Sequence, residues 1–319
     1  MRPIAVDAMG GDRAPSEILA GAHQAAEAGI PVVLVGPSDL DGRGDLPLIV
    51  ASEVIAMDED PAGGVRRKKD STLVRAAEAV RDGDASAMIS AGNTGATMAA
   101  ALLRMGRIKG VSRPAVATPI PVMGSSPTIL LDAGANAEVQ PEWLVQFAQM
   151  GSVYARHRFV MDTPRVGLLS IGEEPGKGDT LRKDAFGLLQ AAPGIDFIGN
   201  IEGRDIMSDR VDVAVTDGFT GNVVLKTLEG GVRAIIGALL EVFGRPENEP
   251  HAEALLPALM PMYRALDPDT YGGAVLLGVE GVCVISHGST GATAMFNAIK
   301  VAKDLVDHDI VGELRRAVV

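Results

Sequence analysis

The feature that most constrains this chain is an alternation of short β-branched runs with longer helix-like stretches, joined by turns rich in Gly, Asp and Asn. Residues 4–6, 32–35, 49–55, 87–90, 129–132, 166–171, 197–201, 211–215 and 282–286 read as strands. Helices are expected over 14–28, from Asp70-Ser71 to about Arg81, and over 94–105, 142–156 and 223–242, with one more at the C-terminus. Strands separated by helices pair in parallel, because the crossover returns the chain to the same edge of the sheet. The pattern therefore predicts an α/β fold: a largely parallel, doubly wound sheet with helices on both faces. A chain of 319 residues fits one α/β catalytic unit, either undivided or as two intimately joined subdomains sharing a crevice.

Three of the turns share one design. They are Ser90-Ala91-Gly92-Asn93-Thr94-Gly95-Ala96, Asp217-Gly218-Phe219-Thr220-Gly221-Asn222 and His287-Gly288-Ser289-Thr290-Gly291-Ala292. A helix start carries unpaired N–H groups and partial positive charge, and glycine lets an anion approach the backbone. Any one of these turns is explained by plain helix capping. With Asp7-Ala8-Met9-Gly10-Gly11-Asp12 and Asp132-Ala133-Gly134-Ala135-Asn136 they make five such strand ends, and the expectation is one shared anion-binding crevice. Asp7, Gly10, Gly11, Asn136 and Asp217 are expected to line it.

Familiar nucleotide motifs are missing. Gly172-Glu173-Glu174-Pro175-Gly176-Lys177-Gly178 has the wrong spacing for a P-loop and Gly where magnesium needs Ser or Thr. No Gly-x-Gly-x-x-Gly follows a strand, and five scattered histidines suggest no metal site. The net charge of −12, without a basic stripe bearing aromatics, argues against nucleic acid. A single cysteine, Cys283, excludes an intramolecular disulfide and sits in an apolar run as a small buried hydrophobe. The chain passes directly from Met1-Arg2-Pro3 into a strand, and no apolar run approaches the ~18 residues that cross a bilayer. A cytoplasmic location is expected.

Several ionisable groups lie beside these turns. Lys226 follows Asn222 by one helical turn, where a lysine near a helix start is unhelpful unless an anion is close. Arg204, in Asn200-Ile201-Glu202-Gly203-Arg204-Asp205, suits forked phosphate contacts or an internal ion pair equally. His287 reads equally as a core histidine or a general acid. Arg66, Arg67, Lys68 and Lys69 form the one tight basic run, either a solvated face or a dock for an acidic protein. The segment 244–268 is apolar yet holds Pro246, Pro250, Pro257, Pro261 and Pro268, so a protruding series of short helices is expected there. Packing against the body or a dimer partner, and contact with membrane or a lipid chain, are both open for it.

The motifs 4–12, 90–96, 200–205 and 217–223, with Tyr271-Gly272-Gly273-Ala274 and Leu276-Leu277-Gly278, resemble those of the bacterial phosphate acyltransferase family, in order, from residue 4 to about 300. Ser170 and Val275 are local departures, where that family often has Asn and Pro. The resemblance implies an isopropylmalate-dehydrogenase-like fold and transfer of a fatty acyl group from acyl carrier protein to inorganic phosphate. The acyl phosphate product would serve phospholipid synthesis. It further implies a homodimer, no cofactor, loose peripheral contact with membrane, and a downstream acyltransferase as partner.

Phosphate is itself a nucleophile, so this chemistry requires orientation and oxyanion donors rather than a catalytic Ser or Cys. Gly92, Asn93, Thr94, Gly95, Arg204, Thr220, Gly221 and Asn222 are the expected phosphate-binding residues, and Lys226 and His287 the expected catalytic ones. The run Arg66–Lys69, or else Arg104, Arg107 and Lys109, is the expected carrier-protein dock. The rivals are a coenzyme A-dependent phosphotransacetylase, a hydroxy-acid dehydrogenase on the same fold, for which no nicotinamide site or magnesium-binding cluster is evident, and a non-catalytic scaffold for lipid-synthesis enzymes.

Overall fold

The first strand, β1 (Ile4–Asp7), is buried at every residue, as expected of a strand covered on both faces. A computed structural model of the chain, describing residues 2–266 and 268–318, carries it into α1 (Ser16–Glu27), β2 (Val32–Gly36), β3 (Leu48–Val50), α2 (Pro61–Arg67) and α3 (Thr72–Asp82). Next come β4 (Ala87–Ser90), α4 (Thr94–Ala100) with a π-helical turn (Ala101–Met105), β5 (Ala115–Ile120), β6 (Thr128–Leu131) and α5 (Pro141–Phe159). The chain continues through β7 (Arg165–Leu169), α6 (Thr180–Ala191), β8 (Asp196–Ile201), β9 (Val213–Val215), α7 (Gly218–Phe243) and α8 (Glu249–Leu266). It ends with β10 (Ala274–Leu277), β11 (Val282–Ile285), α9 (Ala292–Asp307) and α10 (Ile310–Ala317).

Local signals set these boundaries. Ser71 caps α3 by accepting the Val74 N–H, and Gly83, at φ 79°, closes it in the left-handed region. The strands form one sheet in the order β3-β2-β1-β4-β11-β10-β5-β6-β9-β7-β8. Its pairs are parallel except those of β10 with β11, β10 with β5 and β5 with β6. The expected doubly wound, largely parallel sheet is therefore present, but in two blocks. β1, β2, β3, β4 and β11 run one way, and β6, β7, β8 and β9 run the other.

Alternate residues feed two apolar layers. Ile4, Val6, Ile89, Leu131 and Leu168 lie in the layer of α1, α5 and α9 on one face, while Ala5 and Met88, with α3 and α4, and Leu130 and Ala214, with α7, form the layer on the other. Cys283 lies in the second layer, and burial pushes its thiol up to about 12. It is a packing residue.

The segment expected as short helices departs from that expectation. A 3-10 turn (Pro246–Asn248) leads into α8, one helix of 18 residues that contains Pro257 and Pro261. Asp267 lies outside the described residues. Each internal proline forfeits one N–H, but both are exposed and four apart, so the two freed carbonyls can be hydrated. Pro250 falls in the first turn, where the N–H has no intrahelical partner. α7, with 26 residues, packs against α8, and it exposes Phe219, Val223, Ile235, Leu239, Leu240 and Val242. Among the described residues no helix is long and apolar enough to cross a membrane.

Candidate functional site

The ends of β1 and β4 are joined by a buried carboxylate. Asp7 accepts from Ser90 Oγ at 2.7 Å and from the Met9 N–H at 3.1 Å, and burial pushes its carboxyl upward against these hydrogen bonds. Ser90 Oγ accepts the Gly92 N–H at 2.9 Å, so that amide points inward rather than at a ligand. A Cβ on Gly10 would lie 2.5 Å from Asp7 Oδ2 and 2.7 Å from Gly92 N, which leaves glycine as the residue that fits. The turn after β11 closes the cluster: the Asp12 N–H donates to Gly288 O at 2.7 Å. Asp7, Gly10, Gly11, Gly92 and the His287 turn are thus brought together.

Arg204, Asn136, Asp217, Thr220, Gly221 and Asn222 are not brought to that cluster. Because β6 to β9 run against β1 and β4, their carboxyl ends lie at the other end of the sheet. Leu131 is level with Ala117, while Asp132 holds the Val116 N–H. The expected single crevice is therefore two separate constellations. In the second, Asp132 is saturated by the N–H groups of Val116, Gly134, Ala135 and Asn136 and by the Asn136 amide. A Cβ on Gly221 would overlap the Asp132 carbonyl, and α7 starts in close contact there. Arg182, from α6, is buried and donates to Asp217, Thr216 Oγ1 and Thr220 Oγ1. Burial pushes the Asp217 carboxyl up, but hydrogen bonds from Thr220 and the Arg182 charge outweigh it and hold the group below the usual range. Arg204 is exposed and pairs with Glu202 at 2.8 Å and Glu173 at 3.6 Å.

The three Thr-Gly turns differ in what already occupies them. At α7, Asp217 accepts the Thr220 N–H at 2.8 Å. At α9, Glu17 reaches over from α1 and accepts the Ala292 N–H at 2.8 Å. Both helix starts therefore face a carboxylate. At α4 the cap is neutral: Asn93 Oδ1 accepts the Ala96 N–H at 3.0 Å. The N–H groups of Thr94 and Gly95 have no acceptor among the described residues. Of the three, only this start is electrostatically open to an anion.

An apolar groove of about 300 Å³ begins beside this cluster. One wall is α7, through Leu225, Leu228, Val232 and Ile236. The lining also includes Pro119 and Ile120 at the end of β5, Pro121 just after it, and His287 and Ser289. His287 is exposed rather than a core residue, and its Nδ1 receives the Ser289 N–H at 3.2 Å and lies 2.8 Å from Ser289 Oγ. An acceptor role at Nδ1 assigns the hydrogen of the neutral ring to Nε2. Lys226 is not a lining residue; it pairs at 2.9 Å with Glu229, which is.

The basic run lies close to the α4 turn. Asn93 Nδ2 donates to the carbonyls of Ala56, Met57 and Glu59 at 3.2, 3.0 and 3.1 Å, which ties the segment leading into α2 to that turn. Arg67 and Lys68 pair with Glu59, leaving Arg66 and Lys69 without an ion pair among the described residues. The sequence marks Ser90 and Ser289 only as members of their turns, and gives Arg182 and Glu17 no role. Serines and a lone Arg inside a helix carry no local signal, and Glu17 acts across 275 positions of chain.

A family described as fatty acid synthesis protein matches residues 2–312. The phosphate acyltransferase of Desulfitobacterium hafniense (strain Y51) is 47% identical over 327 residues, covering 99% of this chain and 97% of the relative. That of Heliobacterium modesticaldum is 48% identical, with coverages of 98% and 96%. Among solved structures, a phosphotransacetylase from Streptococcus pyogenes superposes with a TM-score of 0.64 at 16% identity, covering 96% of this chain and 94% of that one. A 4-hydroxythreonine-4-phosphate dehydrogenase from Klebsiella pneumoniae gives 0.55 at 13%, with coverages of 96% and 100%. At such identities the structural likeness concerns the fold alone.

Proposed function

The chain belongs to the fatty acid synthesis protein family, alongside phosphate acyltransferases, and from that premise we propose that it moves a fatty acyl group from acyl carrier protein to inorganic phosphate. The observation that carries this reading is the apolar groove opening on the His287 turn, next to the one Thr-Gly helix start whose cap is not a carboxylate. Hydrocarbon and anion can thereby be held side by side.

In this reading the N–H groups of Thr94 and Gly95 hold phosphate, with Gly92 and Asn93 shaping the turn and Asn93 acting through its backbone links rather than its committed side chain. A phosphate oxygen attacks the thioester carbonyl carbon. The developing oxyanion accepts a hydrogen bond from His287 Nε2–H, which stabilises charge that the ground state lacks. Collapse breaks the C–S bond, and the thiolate takes its proton from water or from the hydroxyl of the hydrogen phosphate that attacked. A thiol of pKa about 8.5 leaves without a strong acid. Lys226, paired with Glu229, contributes positive potential at the groove rim. Arg204, Thr220, Gly221 and Asn222 are reassigned in this reading from phosphate contacts to holding the start of α7.

Arg66 and Lys69 are the contact for an acidic carrier, with Arg67 and Lys68 partly neutralised by Glu59. The outer face of α7 and α8 is the contact between two copies, and the enzyme works in the cytoplasm at or near the bilayer where its product is used. The test incubates the pure protein with long-chain acyl carrier protein, with and without phosphate. Thiol release is followed together with acyl phosphate trapped by hydroxylamine. Phosphate-dependent appearance of both is expected. Thiol without phosphate would mean a thioesterase, equal use of acyl-coenzyme A a phosphotransacetylase, and no turnover by folded protein a scaffold.

A further inference from the structure

We propose that one stripe of α7 (Leu225, Leu228, Val232 and Ile236) is the bed of the acyl chain and sets how many carbons the site recognises. The proposal rests on the acyl-transfer reading above and adds to it where the hydrocarbon lies. It places the chain on α7 rather than on the 244–268 segment, from which Tyr263 and Leu266 line the groove.

Positions 225, 228, 232 and 236 follow the three- and four-residue steps of one helix face. All four are half-buried, while Ile235 and Leu239, which continue the same stripe toward the C-terminal end of the helix, and Val223 on the opposite face are exposed. The half-buried part of the stripe, from Leu225 to Ile236, is the part that borders the groove. The lining also includes Pro119 and Ile120 at the end of β5 and Pro121 just beyond it, and the two prolines offer no N–H to a hydrocarbon. A saturated chain bound here loses no hydrogen bond and is stripped of water on two sides.

Length then follows from geometry. From Leu225 to Ile236 the helix rises about 16 Å, and an extended hydrocarbon advances about 1.25 Å per bond, so the stripe matches about thirteen bonds. Up to that length each added carbon gains contact, worth at most roughly fourfold in affinity. Beyond it, further carbons leave the groove and add little.

The experiment measures kcat/KM for phosphate-dependent acyl phosphate formation across carrier proteins loaded with butyryl to stearoyl chains. It uses the full-length protein, Val232→Trp at mid-groove, Leu228→Ala, and Thr227→Trp on an exposed position of the same helix. For the unaltered protein kcat/KM should climb with chain length and flatten near fourteen carbons. Val232→Trp should keep butyryl transfer within about twofold and lose at least tenfold with the longest chains. Leu228→Ala should penalise long chains more than short ones, and Thr227→Trp should change neither. Circular dichroism establishes folding for each variant, and Leu228→Ala carries the test if Val232→Trp does not fold. A profile with no dependence on length, or groove variants that lower every chain equally, would overturn the proposal while leaving the transferase reading intact. Absence of phosphate-dependent product from the unaltered protein at every length would instead remove the transferase reading.

Discussion

Asp7 ends β1 and His287 follows β11, two strands of one block with β4 between them, and their protons are managed in opposite ways. Asp7 is sealed, so its native carboxyl holds a proton more tightly than the unfolded chain does. Its stabilising effect is complete below the ordinary carboxylate pKa and is lost as pH rises through the raised native value. Urea unfolding from about pH 4 upward should show a falling limb in the native protein that is shallower in Asp7→Asn; parallel curves would contradict it. His287 faces the groove with Nε2 as donor, and His287→Ala should lower kcat by about a hundredfold or more, as loss of one oxyanion donor does. The smaller effect of Lys226→Ala should fall on kcat/KM, since that ammonium is shared with Glu229. Unchanged rates in both variants would remove these assignments. Gly10 was legible in the sequence as a turn residue, whereas the Ser90 link from Asp7 to Gly92 was not, because it joins residues 83 positions apart. Asn93 shows the same limit. Its side chain is spent on Ala56, Met57, Glu59 and the start of α4, a use that one-dimensional spacing cannot display.

Among the elements, α2 is short, starts at Asp60 and ends in Arg66 and Arg67, which complement its C-terminal dipole. Reversing the two unpaired charges, with Arg66→Glu and Lys69→Glu, should raise the KM for acyl carrier protein roughly tenfold at low salt and less at high salt. The KM for phosphate should stay put. An unaltered carrier constant would move the dock elsewhere, with Arg107 and Lys109 next in line. Three turns of nearly identical sequence turned out to be capped by Asn93, Asp217 and Glu17 respectively, and that difference selects α4. The sequence shows the shared design but not the carboxylate that arrives from α1. In α8 the prolines predicted a break that did not occur. Proline propensity is a local cost, and exposed carbonyls can be hydrated without ending the helix.

At the scale of the whole molecule, the alternating pattern was enough to read a doubly wound sheet. The reversal through β10 and β5 was not readable, since antiparallel pairing leaves no mark in hydrophobic period when strands are buried on both faces. That reversal split the expected crevice in two. The exposed apolar face of α7 also belongs to this scale. Replacing Ile235 and Leu239 together by Glu should lower the mass seen in sedimentation from a dimer to a single chain; a mass that stays unchanged would place the contact on another surface. The sheet order has a further consequence, for synthesis. The strands β5 to β9 are contiguous in the chain and can pair as they leave the ribosome. The first block cannot: β4 waits for β11, 192 residues after its end, and α1 waits for α9, 265 residues after its own. The earliest-made strands are thus among the last to be completed, and a nascent chain halted before Val282 would carry the paired strands of the second half and a first half with an open edge.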